Sequence, residues 1–178
     1  GIFYTLWNSV HSNQNPAKLR AVLGQLRSSL YENQQTISNI GGKHLLHYVK
    51  VLTISNSSMV EHILRNAHEA GKNLQILCMR SAPAHEGELF ANSLKNDGLD
   101  VEVIEDNSVE NRIKEVDVVL LGCDLLGKTY FINERGSGLL VKYAGKLNKS
   151  VLVVTDLQRY VEQEIPEKEI DPVFEKIP

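Results

Sequence analysis

The sequence predicts an α/β fold: an open parallel sheet of at least five strands with helices on both faces, preceded by a short helical amino-terminal segment. Three observations carry this expectation. Short apolar runs recur at 49–53, 74–79, 101–105, 116–121 and 151–154. They are apolar with little alternation, the pattern of strands buried on both faces of a parallel sheet. Amphipathic helical runs stand between them, whereas the first 48 residues carry helical spacing only. The expected organisation is a helical segment over 1–48 and an α/β domain over 49–178.

Asn15-Pro16 is a reasonable helix start, and Leu19, Val22, Leu23, Leu26 and Leu30 come after it as the i, i+3, i+4, i+7, i+11 stripe of an amphipathic helix. A second helical piece is expected over 37–48 despite Gly41-Gly42. A segment of that length holds no core of its own and should pack on the rest of the chain. After the first strand, Ser58-x-x-Glu61 reads as a capping box, with Val60, Ile63, Leu64 and Ala67 on one helix face and Gly71 as the stop. Further helices are expected near 86–97, 108–114 and 137–147. The tail, interrupted by Pro166, Pro172 and Pro178, reads as loop or extended chain. Right-handed crossovers leave few topologies, and the Rossmann-like order 3-2-1-4-5 is the expected one.

Composition narrows the function classes. A net charge of −3 with scattered basic residues gives no reason to expect direct nucleic-acid binding. No apolar run approaches the roughly 18 residues of a membrane span. Residues 1–7 lack the basic, extended apolar pattern of a secretory leader, so the expected location is the cytoplasm, with no membrane association. Cys78 and Cys123 each follow an apolar run and read as buried thiols. There is no CxxC pair, and the histidines at 11, 44, 47, 62, 68 and 85 offer no ligand set, so no metal and no cofactor are expected.

The expected strand order reverses between the first and fourth strands, where open α/β sheets bind ligands. The loops leaving those strands carry Ser55-Asn56-Ser57 and Cys123-Asp124. Hydroxyls, an amide and a helix amino terminus would face one carboxylate there. Arg80 and Glu86, in the polar loop after the second strand, lie at the same edge, and Arg80 could bind an anion. The plainer reading is that Ser57 or Ser58 caps a helix and Asp124 turns a loop. Gly122-x-x-x-x-Gly127-Lys128-Thr129 also matches a phosphate loop, which requires a helix directly after it. Tyr130-Phe131-Ile132-Asn133 is β-prone instead, and Asp156, the carboxylate on offer for magnesium, closes the last strand.

Taken together, Leu52-Thr53-Ile54-Ser55-Asn56-Ser57, Arg80-Ser81-Ala82-Pro83, Val119-Leu120-Leu121-Gly122-Cys123-Asp124, Ile132-Asn133-x-x-Gly136, Leu147-Asn148-Lys149-Ser150-Val151 and Asp171-Pro172-x-Phe174-Glu175-x-x-Pro178 form an ordered set. In order and spacing, over about 37–178, it resembles the family uniting the alpha, beta and delta regulatory subunits of translation initiation factor 2B with methylthioribose-1-phosphate isomerase and ribose-1,5-bisphosphate isomerase. The resemblance implies a Rossmann-like domain behind a helical amino-terminal domain, and dimers formed through the Rossmann-like domains. It also implies that the isomerases' cysteine corresponds to Ser55 and their catalytic aspartate to Asp124. Their Arg-Pro reads Ala82-Pro83, a downstream glutamine reads Glu86, and a phosphate-holding Asn-Lys pair reads Asn133-Glu134. Two carboxylates thus stand where phosphate would sit. Nor does a serine replace a thiolate without a base beside it.

The expected function is that of a regulatory-subunit-like, non-catalytic member, acting as a homodimer or as a subunit of a larger protein assembly. Its crevice would hold a small polar ligand through Asn56, Ser57, Arg80, Glu86, Asn133 and Glu134. One alternative is an aldose–ketose isomerase acting on a sugar 1-phosphate, with Asp124 as general acid/base, Ser55 in the cysteine's place, and Asn56 and Asn133 orienting substrate. The other is a nucleotide-binding protein using Lys128 and Thr129.

Overall fold

The computed structural model describes residues 16–45, 47 and 49–178. The readings made on residues 1–7, His11, Asn15 and Tyr48 lie outside them. The elements run α1 (Pro16–His44), β1 (Val49–Thr53), α2 (Ser58–Glu69), β2 (Leu74–Met79), α3 (Glu86–Asn96), β3 (Asp100–Ile104), α4 (Val109–Arg112), β4 (Val118–Leu121), β5 (Leu125–Leu126), β6 (Phe131–Glu134), α5 (Ser137–Lys146), β7 (Ser150–Val153) and β8 (Phe174–Ile177). The main sheet has the order β3-β2-β1-β4-β7 with every pairing parallel, the expected order. The helix expected near 108–114 is a single α turn, α4, flanked by 3-10 turns.

Alternation along the strands divides the core into two layers. Val49, Val51, Leu74, Ile76, Val101, Val118 and Leu120 point to one face, where Val60, Ile63, Leu64 and Ala67 of α2 and Phe90, Ala91 and Leu94 of α3 cover them. Leu52, Ile54, Leu77, Met79, Val119 and Leu121 point to the other, against Ile113, Leu140, Ala144 and Ile177. Both faces are covered by buried apolar side chains, which is why the strands read as apolar runs.

Three features depart from expectation. First, α1 is one helix through Gly41-Gly42, not two pieces. Among the described residues its later part docks: Ile37 packs on the first layer, Ser38 is buried, Asn33 Nδ2 donates to Asp156 Oδ2 (3.0 Å) and Asn66 Nδ2 donates to Asn39 Oδ1 (2.9 Å). Leu23 and Leu30 stay exposed. Second, the α2 cap is Ser57, whose side chain accepts from the Val60 amide. The cap lies one residue before the expected Ser58, so Glu61 is free to bond Arg65 (2.8 Å) and Ser93 (2.7 Å) rather than close a box. Third, the tail forms β8, which completes a second, antiparallel sheet in the order β5-β6-β8. The β-prone Tyr130-Phe131-Ile132 run seeds it, and the Gly127 amide closes the hairpin on Tyr130 O (2.8 Å).

Candidate functional site

The loops leaving β1, β2 and β4 meet the β6–α5 turn around a cavity of about 490 Å³ at the carboxyl edge of the main sheet. Ser55, Asn56, Ser57, Glu86, Asp124, Asn133 and Glu134 all line it. The corner expected from strand order therefore brings these side chains together.

The β1 loop is held in an unusual backbone. Ser55 (φ 71°) and Ser81 (φ 62°) both adopt left-handed conformations, which for non-glycine residues persist only where the surroundings over-determine them. Here two links do so. The Ser55 amide donates to Ser81 Oγ (3.0 Å). Asp106 then accepts from the Ser81 amide on Oδ1 (2.9 Å) and from the Ala82 amide on Oδ2 (2.8 Å). The result aims the Ser55 hydroxyl at Glu86 Oε2, 3.2 Å away. Glu86 opens α3, whose second residue, Gly87, sits so close to β2 that a Cβ would lie 1.8 Å from Met79 O. No side chain fits there, and the packed glycine fixes where Glu86 enters the site.

Glu134 ends β6 beside the same hydroxyl. Burial pushes its carboxyl above the usual carboxylate range; the Ser55 hydroxyl opposes this, and the charges of Glu86 and Asp124 add to it. Asn133 is buried, and its side-chain amide donates to Ser137 Oγ (2.8 Å). Its Oδ1 makes no hydrogen bond among the described residues, and it stands over Gly122 together with Ser57 Oγ. A Cβ at Gly122 would lie 2.5 Å from that hydroxyl. The glycine is thus what lets the first turn of α2 approach the end of β4.

Asp124 is half exposed and paired: Arg159 Nη1 lies 2.9 Å from its Oδ1 and donates also to Cys123 O (2.8 Å). Arg135 Nε donates to Pro172 O (2.9 Å). Arg80 is not part of the cavity wall. It is bound outward by Glu88 (2.7 Å) and Glu105 (2.9 Å), which removes the free cation expected there. Burial pushes the Cys78 thiol up to about 12 and raises that of Cys123 as well, which disfavours the thiolate at both. No group of three or more His, Cys, Asp or Glu placed to hold a metal occurs among the described residues, and no helix among them is long and apolar enough to cross a membrane.

The phosphate-loop pattern lacks its helix. Lys128-Thr129 leads into β6, and a Cβ at Gly127 would lie 2.3 Å from the Tyr130 ring, which packs against the glycine. Sequence reasoning did not single out Arg159 or Asp106, and it quoted Glu175 only within the family resemblance. Glu175 Oε1 accepts from the amides of Gly136 (2.8 Å) and Gly138 (2.7 Å), which caps α5 from β8.

The family model of the initiation factor 2 subunits matches residues 5–174. The chain belongs to that family. Among its relatives, ribose 1,5-bisphosphate isomerase of Archaeoglobus fulgidus is 29% identical over 128 residues, covering 71% of this chain and 41% of that protein. The solved translation initiation factor eIF-2B of Pyrococcus horikoshii OT3 superposes with a TM-score of 0.87 at 22% identity, over 99% of this chain and 70% of the other. The tetrameric eIF2B-beta2-delta2 complex of C. thermophilum superposes with a TM-score of 0.76 at 15% identity, over 92% of this chain and 56% of the other. Both structural likenesses are of fold. The family thus contains translation-factor subunits and sugar-phosphate isomerases alike, and the chain spans about half or less of the length of its first curated relatives.

Proposed function

We propose that this chain is a regulatory-subunit-like, non-catalytic member of the family, which acts through assembly with further subunits and not by isomerising a sugar phosphate. The observation that carries this reading is the Ser55–Glu86–Glu134 corner. By the family resemblance the Ser55 hydroxyl takes the place of the isomerases' cysteine, and in the structure it is turned toward a pair of carboxyls. A phosphate placed beside them meets like charge: at an effective dielectric constant of about 20, unit charges about 5 Å apart repel by roughly 3 kcal/mol. No base stands beside Ser55 to activate it except these carboxyls, which are far too weak to deprotonate an alcohol. The chain's membership beside subunits of a tetrameric complex supports the assembly half of the reading.

The isomerase reading keeps one supporting observation: Asp124, Asn56 and Asn133 share the cavity, so a carboxylate with flanking amides is available for proton transfer. Light scattering on the purified chain tests the assembly half and should give a dimer or higher assembly. Turnover separates the two readings: incubation with ribose 1,5-bisphosphate or 5-methylthioribose 1-phosphate should give no ketose. Turnover that disappears in Asp124→Asn would establish the isomerase instead.

A further inference from the structure

We propose that the outer edge of β7 is an assembly surface, on which a second copy of this chain adds its own β7 antiparallel about a twofold axis, joining two main sheets into one. This rests on the reading above and names the surface through which that assembly forms.

β7 ends the main sheet and pairs within it on one side, with β4. The Val154 amide donates to Leu121 O (2.9 Å). Backbone groups alternate sides along a strand, so those of Leu152 also face β4 and those of Val151 and Val153 face outward. Val153 is 37% exposed. Two amides and two carbonyls are thus presented in a row along the edge.

Sheets guard such edges with charge, proline or a covering element. The opposite edge follows that rule. Asp100 and Glu102 stand exposed along β3, and Glu102 holds Arg112 (2.7 Å). β7 does not follow it. Ser150-Val151-Leu152-Val153 carries neither charge nor proline. The lysine before it, Lys149, is turned onto the carbonyls of Lys114 (3.1 Å) and Val116 (2.6 Å) and so does not guard the strand. Both faces of β7 are apolar: Val151 packs on the layer beneath α5, and Leu152 on the layer beneath α2 and α3.

The occupant follows from the symmetry of these groups. An axis normal to the sheet at Leu152 sets Val151 opposite Val153 of the partner subunit, and Val153 opposite Val151 of the partner subunit. Each such pair gives and receives one hydrogen bond, so all the outward groups of Val151 and Val153 in both copies are satisfied by four bonds. Faces match as well. The two valines share the α5 face in both copies, and Leu152 meets its own equivalent on the other face. A slip of one residue would set outward groups against inward ones, which fixes the register. The edge contains both halves of the match, and no charge of the strand meets a like charge across the axis.

Amide exchange followed by NMR, with light scattering on the same samples, tests this on the full chain over a dilution series. The Val151 and Val153 amides should exchange at least about tenfold more slowly in the concentrated dimer than in the dilute monomer, whereas that of Leu152, already bonded to β4, should change far less. Val153→Lys places a guard at an exposed position and should shift the equilibrium at least about tenfold toward monomer, with an unchanged circular dichroism spectrum. Leu89→Lys, on α3 beside β3, should leave it unchanged. A dimer indifferent to Val153→Lys, or one whose Val151 and Val153 amides exchange freely, would overturn this surface and leave the assembly reading in place. Protection of both amides in the monomer would overturn it too, since another segment would then cover the edge. A monomer at every concentration would remove the assembly reading and this surface together.

Discussion

Arg159 and Asp124 form an ion pair, 2.9 Å between Nη1 and Oδ1, that ties the loop after β4 to the turn after β7. The carboxylate that the strand order marks as the centre of the crevice is therefore partly neutralised before any ligand arrives. Both side chains are about half exposed (48% and 46%), so solvent screens the pair. Arg159→Ala should change stability by no more than about 1 kcal/mol. Urea denaturation checks this; a larger loss would mean that the guanidinium's bond to Cys123 O matters more than the ion pair.

Glu134 gives a pH signature. A carboxyl raised above its ordinary 4.5 holds its proton more tightly in the folded than in the unfolded chain. Its favourable contribution is then fully present below 4.5 and is lost as pH rises through the folded value. Glu134→Gln removes that slope. The variant should melt higher than the parent at neutral pH, and its advantage should shrink as pH falls below the carboxylate range. A variant less stable than the parent at pH 7 would contradict the assignment.

Ser57 caps α2 through the Val60 amide. Ser57→Ala should cost about 1 kcal/mol, the usual worth of such a cap, or about 2–4 °C in Tm for a chain of this size. Ser58→Ala should cost much less. Equal losses would return the cap to the position expected from the capping-box pattern.

Gly122→Ala would place a methyl 2.5 Å from Ser57 Oγ. Something must move, and crowding of this kind costs about 1–3 kcal/mol. The same substitution should perturb ligand binding at the crevice, because it pushes α2's first turn away from β4. A variant with the parent's Tm would show that the two loops are looser than the geometry states.

Glu175 ties the tail to the main sheet's last helix. Its carboxylate satisfies two amides at the start of α5, so Glu175→Ala should cost about 1–3 kcal/mol. Hydrogen exchange should then accelerate at Gly136 and Gly138 before it does in β1 or β4. Unchanged exchange there would remove the cap.

The main sheet was legible because its strands are buried on both faces and read as unbroken apolar runs; Val118–Leu121 is buried throughout. The meeting of the Ser55 corner with Asp124 followed from strand order alone. The second sheet was not legible. Phe174–Ile177 lies between prolines and pairs with β6 some forty residues earlier, and neither propensity nor period reports a pairing at that range. The amino-terminal helix reads in sequence as two pieces, the second beginning at Ile37, where one helix runs from Pro16 to His44. Arg159 carried no local signal, since a lone arginine in a polar tail looks the same whether free or bound.

The central claim is that Glu86 and Glu134 turn phosphate away. Titration of ribose 1,5-bisphosphate, followed by its phosphorus resonances, measures this directly. The account predicts unperturbed resonances with the native chain and binding gained in the Glu86→Gln, Glu134→Gln double variant. A native chain that binds the bisphosphate as tightly as the double variant does would contradict it.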